Sequence, residues 1–378
     1  MLLSYGAKNF FCFKEWCVID LNFNKNVPEE ISNGKAAAPV LCFKGANAAG
    51  KTNGLKVLAF LIDFCKNSFL YIPNSKIPLE PFFDNNDISE FFLEFISNNK
   101  KYKYELQATK EKVFKETLTL QDTNTILLLR ENNKILKNQL YNNSEIIFKD
   151  NASFISTLRQ YGIQEINDII QFFEKASSNV SYYGYNSMFD KSVDCNKWYY
   201  DNPEDLSYIV NRIREFDTGI EDIKIEKKQG FNNEIVYIPV FFHKTLKEKY
   251  PLSIQFESSG TQWLYTNLLF FAYSLKAGSV LLMDELDLNL HSDILPELVK
   301  DFLNPKINKN NAQLLFTTHN NDIMEITKKY QTYLFNKENG ESYCYRLDEL
   351  PSSVIRNDRP IKNLYEKGLL GGIPKIHE

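Results

Sequence analysis

An α/β fold around a parallel sheet, with a strand-rich antiparallel lobe ahead of it and a mostly helical insertion, is predicted by three observations. The apolar run Pro39-Val40-Leu41-Cys42-Phe43 leads into Gly45-Ala46-Asn47-Ala48-Ala49-Gly50-Lys51-Thr52 and then into the apolar stretch Leu55 to Ile62. A second apolar run, Val280-Leu281-Leu282-Met283, ends on Asp284-Glu285, and a third, Gln313 to Thr317, ends on Thr318-His319-Asn320. Strands that end on polar turns and alternate with helices are the pattern of a sheet with crossover connections.

Taken in order, Leu2 to Phe23 alternates apolar and polar residues through Phe11-Cys12-Phe13 and Cys17 to Leu21, and two strands are expected there. Between Ile88 and Leu120 further strands are predicted at Phe91 to Ile96, Tyr102 to Leu106 and Thr117 to Leu120. Beyond Thr123 the composition shifts to Asn, Asp, Ser and Lys as far as Gln229, with short amphipathic helices expected over Ile163 to Ala176 and Pro203 to Phe216. From Ile235 the alternation returns: strands at Ile235 to Phe242 and Ile254 to Phe256, a helix from Gly260 to Leu275, the strand before Asp284, a helix after Pro296 and the strand before Thr318. No heptad pattern is sustained, so no long coiled coil is expected. The chain divides on this reading into an N-terminal lobe (1–122), an insertion (123–234) and a C-terminal lobe (235–378).

The 378 residues are 43% hydrophobic and 24% charged, ordinary for a water-soluble globular protein of roughly two to three domains. Six cysteines are scattered without a C-x-x-C pair, which fits a reduced, cytoplasmic compartment. No apolar run is long enough to span a bilayer, so no membrane association is expected. With a net charge of −4 the whole molecule has no electrostatic pull toward nucleic acid. The densest basic stretch, Lys100-Lys101-Tyr102-Lys103-Tyr104, could track a phosphate backbone, but its period of two with Glu105 nearby reads better as the solvent face of a β-hairpin.

The loop Gly45 to Thr52 has the form G-x-x-x-x-G-K-T, and each residue type answers a need of a bound triphosphate. Backbone N–H groups at a helix start receive phosphate oxygens, the glycines admit close approach, Lys51 can reach the β- and γ-phosphates, and Thr52 can ligate Mg²⁺. Asn53 continues the same turn. Asp284 would hold the Mg²⁺ of an ATP complex through water, and Glu285 would polarise the attacking water. His319, at the end of the third strand, stands where a sensor of the γ-phosphate is expected, whereas His291 reads as packing or helix capping. Ser258-Ser259-Gly260, opening a helix, would offer a hydroxyl and free N–H groups to a phosphate.

That order, a phosphate loop, then Ser-Ser-Gly at a helix start, then paired acids, resembles the ABC-type ATPase heads of the SMC and RecF kind. The resemblance implies a homodimer or higher homo-oligomer with ATP sandwiched between heads, the serine and glycine of one copy completing the site of another. The signature departs from the family pattern at Glu257, where leucine is common, and at Thr261, where Gln or Glu is common; no glutamine loop is identified. Pro81-Phe82-Phe83, Tyr102-Lys103-Tyr104, Glu116-Thr117-Leu118, Phe216-Asp217-Thr218-Gly219-Ile220, Arg356-Asn357-Asp358 and Tyr365 to Pro374 extend the likeness to the bacterial abortive-infection ATPases of the RloA and AbiL kind, relatives of the ATPase part of OLD nucleases. This implies an ATPase that gates an antiphage complex, with a separate nuclease or toxin as effector. The alternative is a DNA repair or recombination ATPase of the RecF or SMC kind acting on DNA directly. The insertion and the tail from Arg356 to Glu378 are the expected docking regions, with Tyr182, Tyr183, Tyr185, Trp198, Tyr199 and Tyr200 as candidate anchors.

Overall fold

Two hydrophobic cores share one sheet, because side chains on a strand point alternately to opposite faces. The computed structural model describes every residue except 25–26, 143–145, 187–193, 217–218, 231–232, 245–247, 352, 356–359 and 374–378. Asp217, Thr218, Arg356, Asn357, Asp358 and the end of the tail from Pro374, all part of the resemblance above, lie outside the described residues.

The N-terminal part contains β1 (Leu2–Lys8), β2 (Cys17–Asp20), α1 (Glu29–Ser32), β3 (Val40–Gly45), α2 (Lys51–Asn67), β4 (Ser89–Ser97), β5 (Lys100–Ala108), β6 (Val113–Leu120), β7 (Thr125–Glu131) and β8 (Lys134–Asn138). Seven of these strands form an antiparallel sheet in the order β2-β1-β4-β5-β6-β7-β8. On β4 and β5 the alternation is strict: Phe91, Leu93, Phe95, Tyr102, Tyr104 and Leu106 are buried, while the lysines of the basic stretch face out. Lys101 pairs with Glu94 and Lys103 with Glu105, so this face is neutralised as a hairpin surface. The strand expected through Phe11-Cys12-Phe13 is instead a turn between β1 and β2. Asn9 and Phe11 adopt positive φ (55° and 49°), which no strand accommodates.

Next come α3 (Phe154–Gln160), α4 (Asn167–Lys175), β9 (Ser177–Ser178), β10 (Val180–Ser181), β11 (Gly184–Tyr185), α5 (Cys195–Asp201), α6 (Pro203–Glu215) and β12 (Ile220–Gln229). The two amphipathic helices expected here are α4 and α6. The boundary expected after residue 122 falls inside the antiparallel sheet, which β7 and β8 extend. Ile155, Ile169 and Phe173 of α3 and α4 join the core under α2, whereas Ile209 and Ile213 of α6 join the other core. The segment is therefore shared between both lobes; the shift in composition marks its exposed turns.

The chain ends with β13 (Ile235–Lys244), β14 (Lys249–Ser253), α7 (Ser259–Ala277), β15 (Val280–Met283), α8 (Ile294–Leu303), β16 (Gln313–Thr317), α9 (Met324–Thr327), β17 (Thr332–Glu338), β18 (Glu341–Arg346) and α10 (Ile361–Glu366). Residues Ile254–Phe256 form a 3₁₀ turn rather than a strand. The longest described helix, α7, has 19 residues, and no described helix is long and apolar enough to cross a membrane.

The central sheet has the order β18-β17-β3-β16-β15-β9, parallel throughout except at β18. Leu41, Phe43, Leu282, Leu315 and Phe335 face α2 and the antiparallel sheet; Val40, Cys42, Leu281, Met283, Leu314 and Phe316 face α7 and α8. Continuous apolar runs are what a sheet covered on both sides requires. Gln313, buried at the start of β16, stitches the two sheets: it accepts from Leu2 N at 2.6 Å and donates to Leu2 O and Ala38 O at 2.9 and 3.1 Å.

Inside the antiparallel lobe, Glu116 and Arg130 are both fully buried and lie 3.5 Å apart. Glu116 also accepts from Tyr104 Oη, Ser153 Oγ and Phe154 N, fixing the start of α3. Removing Arg130 would leave a buried carboxylate without its cation, so Arg130→Met is expected to destabilise the chain by about 3 kcal/mol. Urea denaturation followed by tryptophan fluorescence checks this; an unchanged midpoint would contradict it.

Candidate nucleotide-binding site

The loop between β3 and α2 is shaped by two glycines. A Cβ on Gly45 would stand 2.5 Å from Phe335 O, and Gly50, at φ 108°, would place one 3.0 Å from Cys12 Sγ. Gly50 is also the N-cap of α2 and supplies no side-chain cap, so the N–H groups of the first turn are not taken by a capping side chain. Asn47 and Ala48 are exposed on the outside of the loop, and Ala46 is half-buried. Lys51 reaches back across the loop, its ammonium donating to Gly45 O at 2.9 Å and Ala46 O at 3.0 Å. Burial pushes its pKa down, opposed by Asp284, Glu285 and Asp287. The amide of Asn53 donates to Cys12 Sγ at 3.0 Å and so braces the loop from the side of the β1–β2 turn.

Asp284 follows β15 and is only 2% exposed. Thr52 Oγ1 lies 3.1 and 3.0 Å from its two carboxylate oxygens, and Thr317 Oγ1 donates to Oδ1 at 2.6 Å. Asn179, just after β9, clasps the backbone of the same residue, accepting from Asp284 N at 2.7 Å and donating to Asp284 O at 3.0 Å. The ends of β9, β15 and β16 and the first turn of α2 thus converge on one residue, Asp284. This is the C-terminal edge of the parallel sheet, where open α/β folds place ligand chemistry.

Glu285 is exposed and held at positive φ (50°), with its amide bonded to Thr317 Oγ1 at 2.8 Å. His319 is exposed as well, and its amide donates to Asp287 Oδ2 at 3.0 Å. Thr317 therefore serves both acids, and the acid loop serves the histidine turn.

Ser258 caps α7 by accepting from Thr261 N at 3.1 Å, while Ser258 and Ser259 stay exposed. A Cβ on Gly260 would approach Asn289 O to 2.9 Å, so its smallness seats the first turn of α7 on the loop that follows the acids. Among the described residues, no hydrogen bond joins Ser258, Ser259 or Gly260 to the phosphate loop of the same chain. His291 Nδ1 accepts from Asp293 N at 3.3 Å, a local turn contact.

The sequence reading missed Asn179 and the double duty of Thr317. Thr317 was detectable as the last polar residue of an apolar strand beside the histidine. Asn179 sits in Ser-Ser-Asn-Val, which carries no periodicity or motif. One hydroxyl and one buried carboxylate at a helix start are a donor set suited to Mg²⁺, which binds through one or two protein oxygens, waters and substrate phosphates.

Loop, helix start and acid-bearing strand define a P-loop nucleotide-binding fold. A profile of the family described as "AAA domain, putative AbiEii toxin, Type IV TA system" matches residues 40–325, and the chain belongs to that family. No curated protein matches it. Similar solved structures include the SMC head domain from Thermotoga maritima (16% identity, TM-score 0.46, 91% of this chain and 98% of that one). Others are an SmcHead bound to the C-winged helix domain of ScpA (13%, 0.44, 91% and 96%) and a Pyrococcus furiosus Smc head with an extended coiled coil bound to the C-terminal domain of ScpA (12%, 0.43, 92% and 97%).

Because Asn179 and Thr317 orient Asp284 from behind, Asn179→Ala and Thr317→Val are each expected to weaken Mg²⁺-supported nucleotide binding by roughly tenfold. Titrating Mg²⁺ against a fluorescent ATP analogue measures it. Unchanged Mg²⁺ dependence in both variants would contradict the role.

Proposed function

We propose that the chain binds Mg²⁺-ATP at this site and hydrolyses it, and that its nucleotide state gates a bacterial antiphage complex of the RloA and AbiL kind. The observation that carries the ATPase reading is the meeting of Thr52 and Asp284 at about 3 Å beside Lys51 at the open start of α2. Thr52 and Asp284 would hold the metal, which neutralises phosphate charge when bound. Lys51 would turn from its loop carbonyls to the β- and γ-phosphates. Such sites work by positioning and charge neutralisation more than by covalent chemistry. Glu285, exposed on a backbone pinned by Thr317, would orient and deprotonate the attacking water, and His319 would contact the γ-phosphate.

Ser258 and Ser259 are exposed at the start of α7, with Gly260 packed beneath them, which suits completion of a second copy's site rather than their own. A triphosphate held between two surfaces is stabilised by donors from both. The effector, a nuclease or toxin, would be a separate polypeptide. Of the aromatic anchors considered for it, Tyr199 is buried with its hydroxyl on Tyr265 O, Trp198 donates to Asp205, and Tyr182 donates to Glu80. Tyr199 and Trp198 are packing residues, whereas Tyr182 remains exposed. Tyr183 and Tyr200, 92% and 42% exposed, stay available with Tyr182, while Tyr185 is half-buried.

Glu285→Gln is expected to bind ATP yet turn it over about a hundredfold more slowly. With Mg²⁺-ATP this variant should double in mass by light scattering, and adding Ser258→Arg should return it to one copy. Turnover within a few-fold of the unmodified chain would remove Glu285 as the base, and a mass indifferent to ATP would remove the sandwich.

A further inference from the structure

Lys44 is a buried cation that the phosphate chemistry above does not use. It lies on β3 directly ahead of Gly45 and is 2% exposed. Burial pushes its pKa down. Its ammonium donates to Thr318 O and Asn320 O, both at 3.2 Å, the two carbonyls that flank His319. On its other side it stands 5.6 Å over the ring of Tyr365 in α10. An apolar residue would suit this interior strand position, and a charge placed there is tolerated only where its donors are met.

Tyr365 continues the connection. It is buried, and its hydroxyl donates to Gly372 O at 2.9 Å; Gly372 N in turn donates to Asn336 Oδ1 on β17 at 2.7 Å. A Cβ on Gly372 would lie 3.2 Å from the Tyr365 ring and 3.5 Å from the Cα of Gly45. The segment from Ile361 to Ile373 therefore rests on the first residue of the phosphate loop, and through Tyr365 and Lys44 it reaches the turn that carries His319.

We propose that Lys44 and Tyr365 are positioning residues for the chemical step. They hold the His319 turn against the phosphate loop in a geometry set by the docked C-terminal segment, so that loosening this segment slows hydrolysis without releasing ATP. The inference rests on the reading of His319 as the group at the γ-phosphate. ATP binding itself is carried by Lys51, Thr52 and the N–H groups of α2, none of which contacts Tyr365 by a hydrogen bond among the described residues.

The test uses the full chain with Lys44→Met, Tyr365→Phe, and Lys44→Met combined with His319→Ala. Lys44→Met should keep ATP affinity within about threefold while kcat falls about tenfold or more, as a small misplacement at a reacting centre does. Tyr365→Phe, which removes only the hydroxyl, should give a smaller fall of the same kind. In the His319→Ala background Lys44→Met should add no further loss, because it acts through that residue. Amide hydrogen exchange of residues 318–321, measured without nucleotide, should quicken in Lys44→Met and in Tyr365→Phe. Equal losses in affinity and turnover, losses that multiply with His319→Ala, or exchange unchanged in Tyr365→Phe would each overturn the proposal. If the unmodified chain hydrolyses no ATP, the ATPase reading fails, and the exchange measurement alone then decides whether the C-terminal segment restrains the histidine turn.

Discussion

The buried carboxylate of Asp284 is the constraint on which the site depends. A carboxyl group at 2% exposure is tolerable only with partners around it, and here Thr52 and Thr317 supply hydroxyls while Asn179 secures its backbone. Hydrogen bonds to a charged group contribute about 2 kcal/mol each, so this cluster also fixes the relative positions of α2, β9, β15 and β16. Binding geometry and sheet geometry are set by the same contacts. A change that misplaces Asp284 would loosen the strand ends, and a change in strand register would misplace Asp284.

The surrounding architecture keeps that cluster rigid. The central sheet is buried on both faces, with alternate side chains committed to different cores, so a slip of one residue would exchange every contact at once. Gln313 ties β16 to β1 across the two sheets, and the antiparallel lobe presses on α2 from outside. Against this frame the exposed Glu285 and His319 stand on short turns at the sheet edge, with side chains open to a ligand and backbones held by Thr317 and Asp287, while exposed Ser258 caps its helix with its hydroxyl on Thr261 N.

What was legible in the sequence was local. The phosphate loop is eight consecutive residues whose backbone is dictated by Gly45 and Gly50, and the acids and His319 close apolar runs that could only be buried strands. Contacts made across long separations left no such trace: Asn179 meets Asp284 from 105 positions away, in a stretch with no pattern. Alternation alone misread Phe11 to Phe13 as a strand, since the positive φ at Asn9 and Phe11 turns the chain there. The shift in composition after Thr123 suggested a separate insertion, yet β7, β8, α3 and α4 are built into the N-terminal lobe, whose core needs their apolar faces.

Calorimetric titration of the unmodified chain with ATP, in Mg²⁺ and again in excess chelator, tests the central claim most directly. Binding of one ATP per chain that weakens strongly without Mg²⁺ and disappears in Lys51→Ala is the expected result. No binding, or binding indifferent to both Mg²⁺ and Lys51, would contradict it.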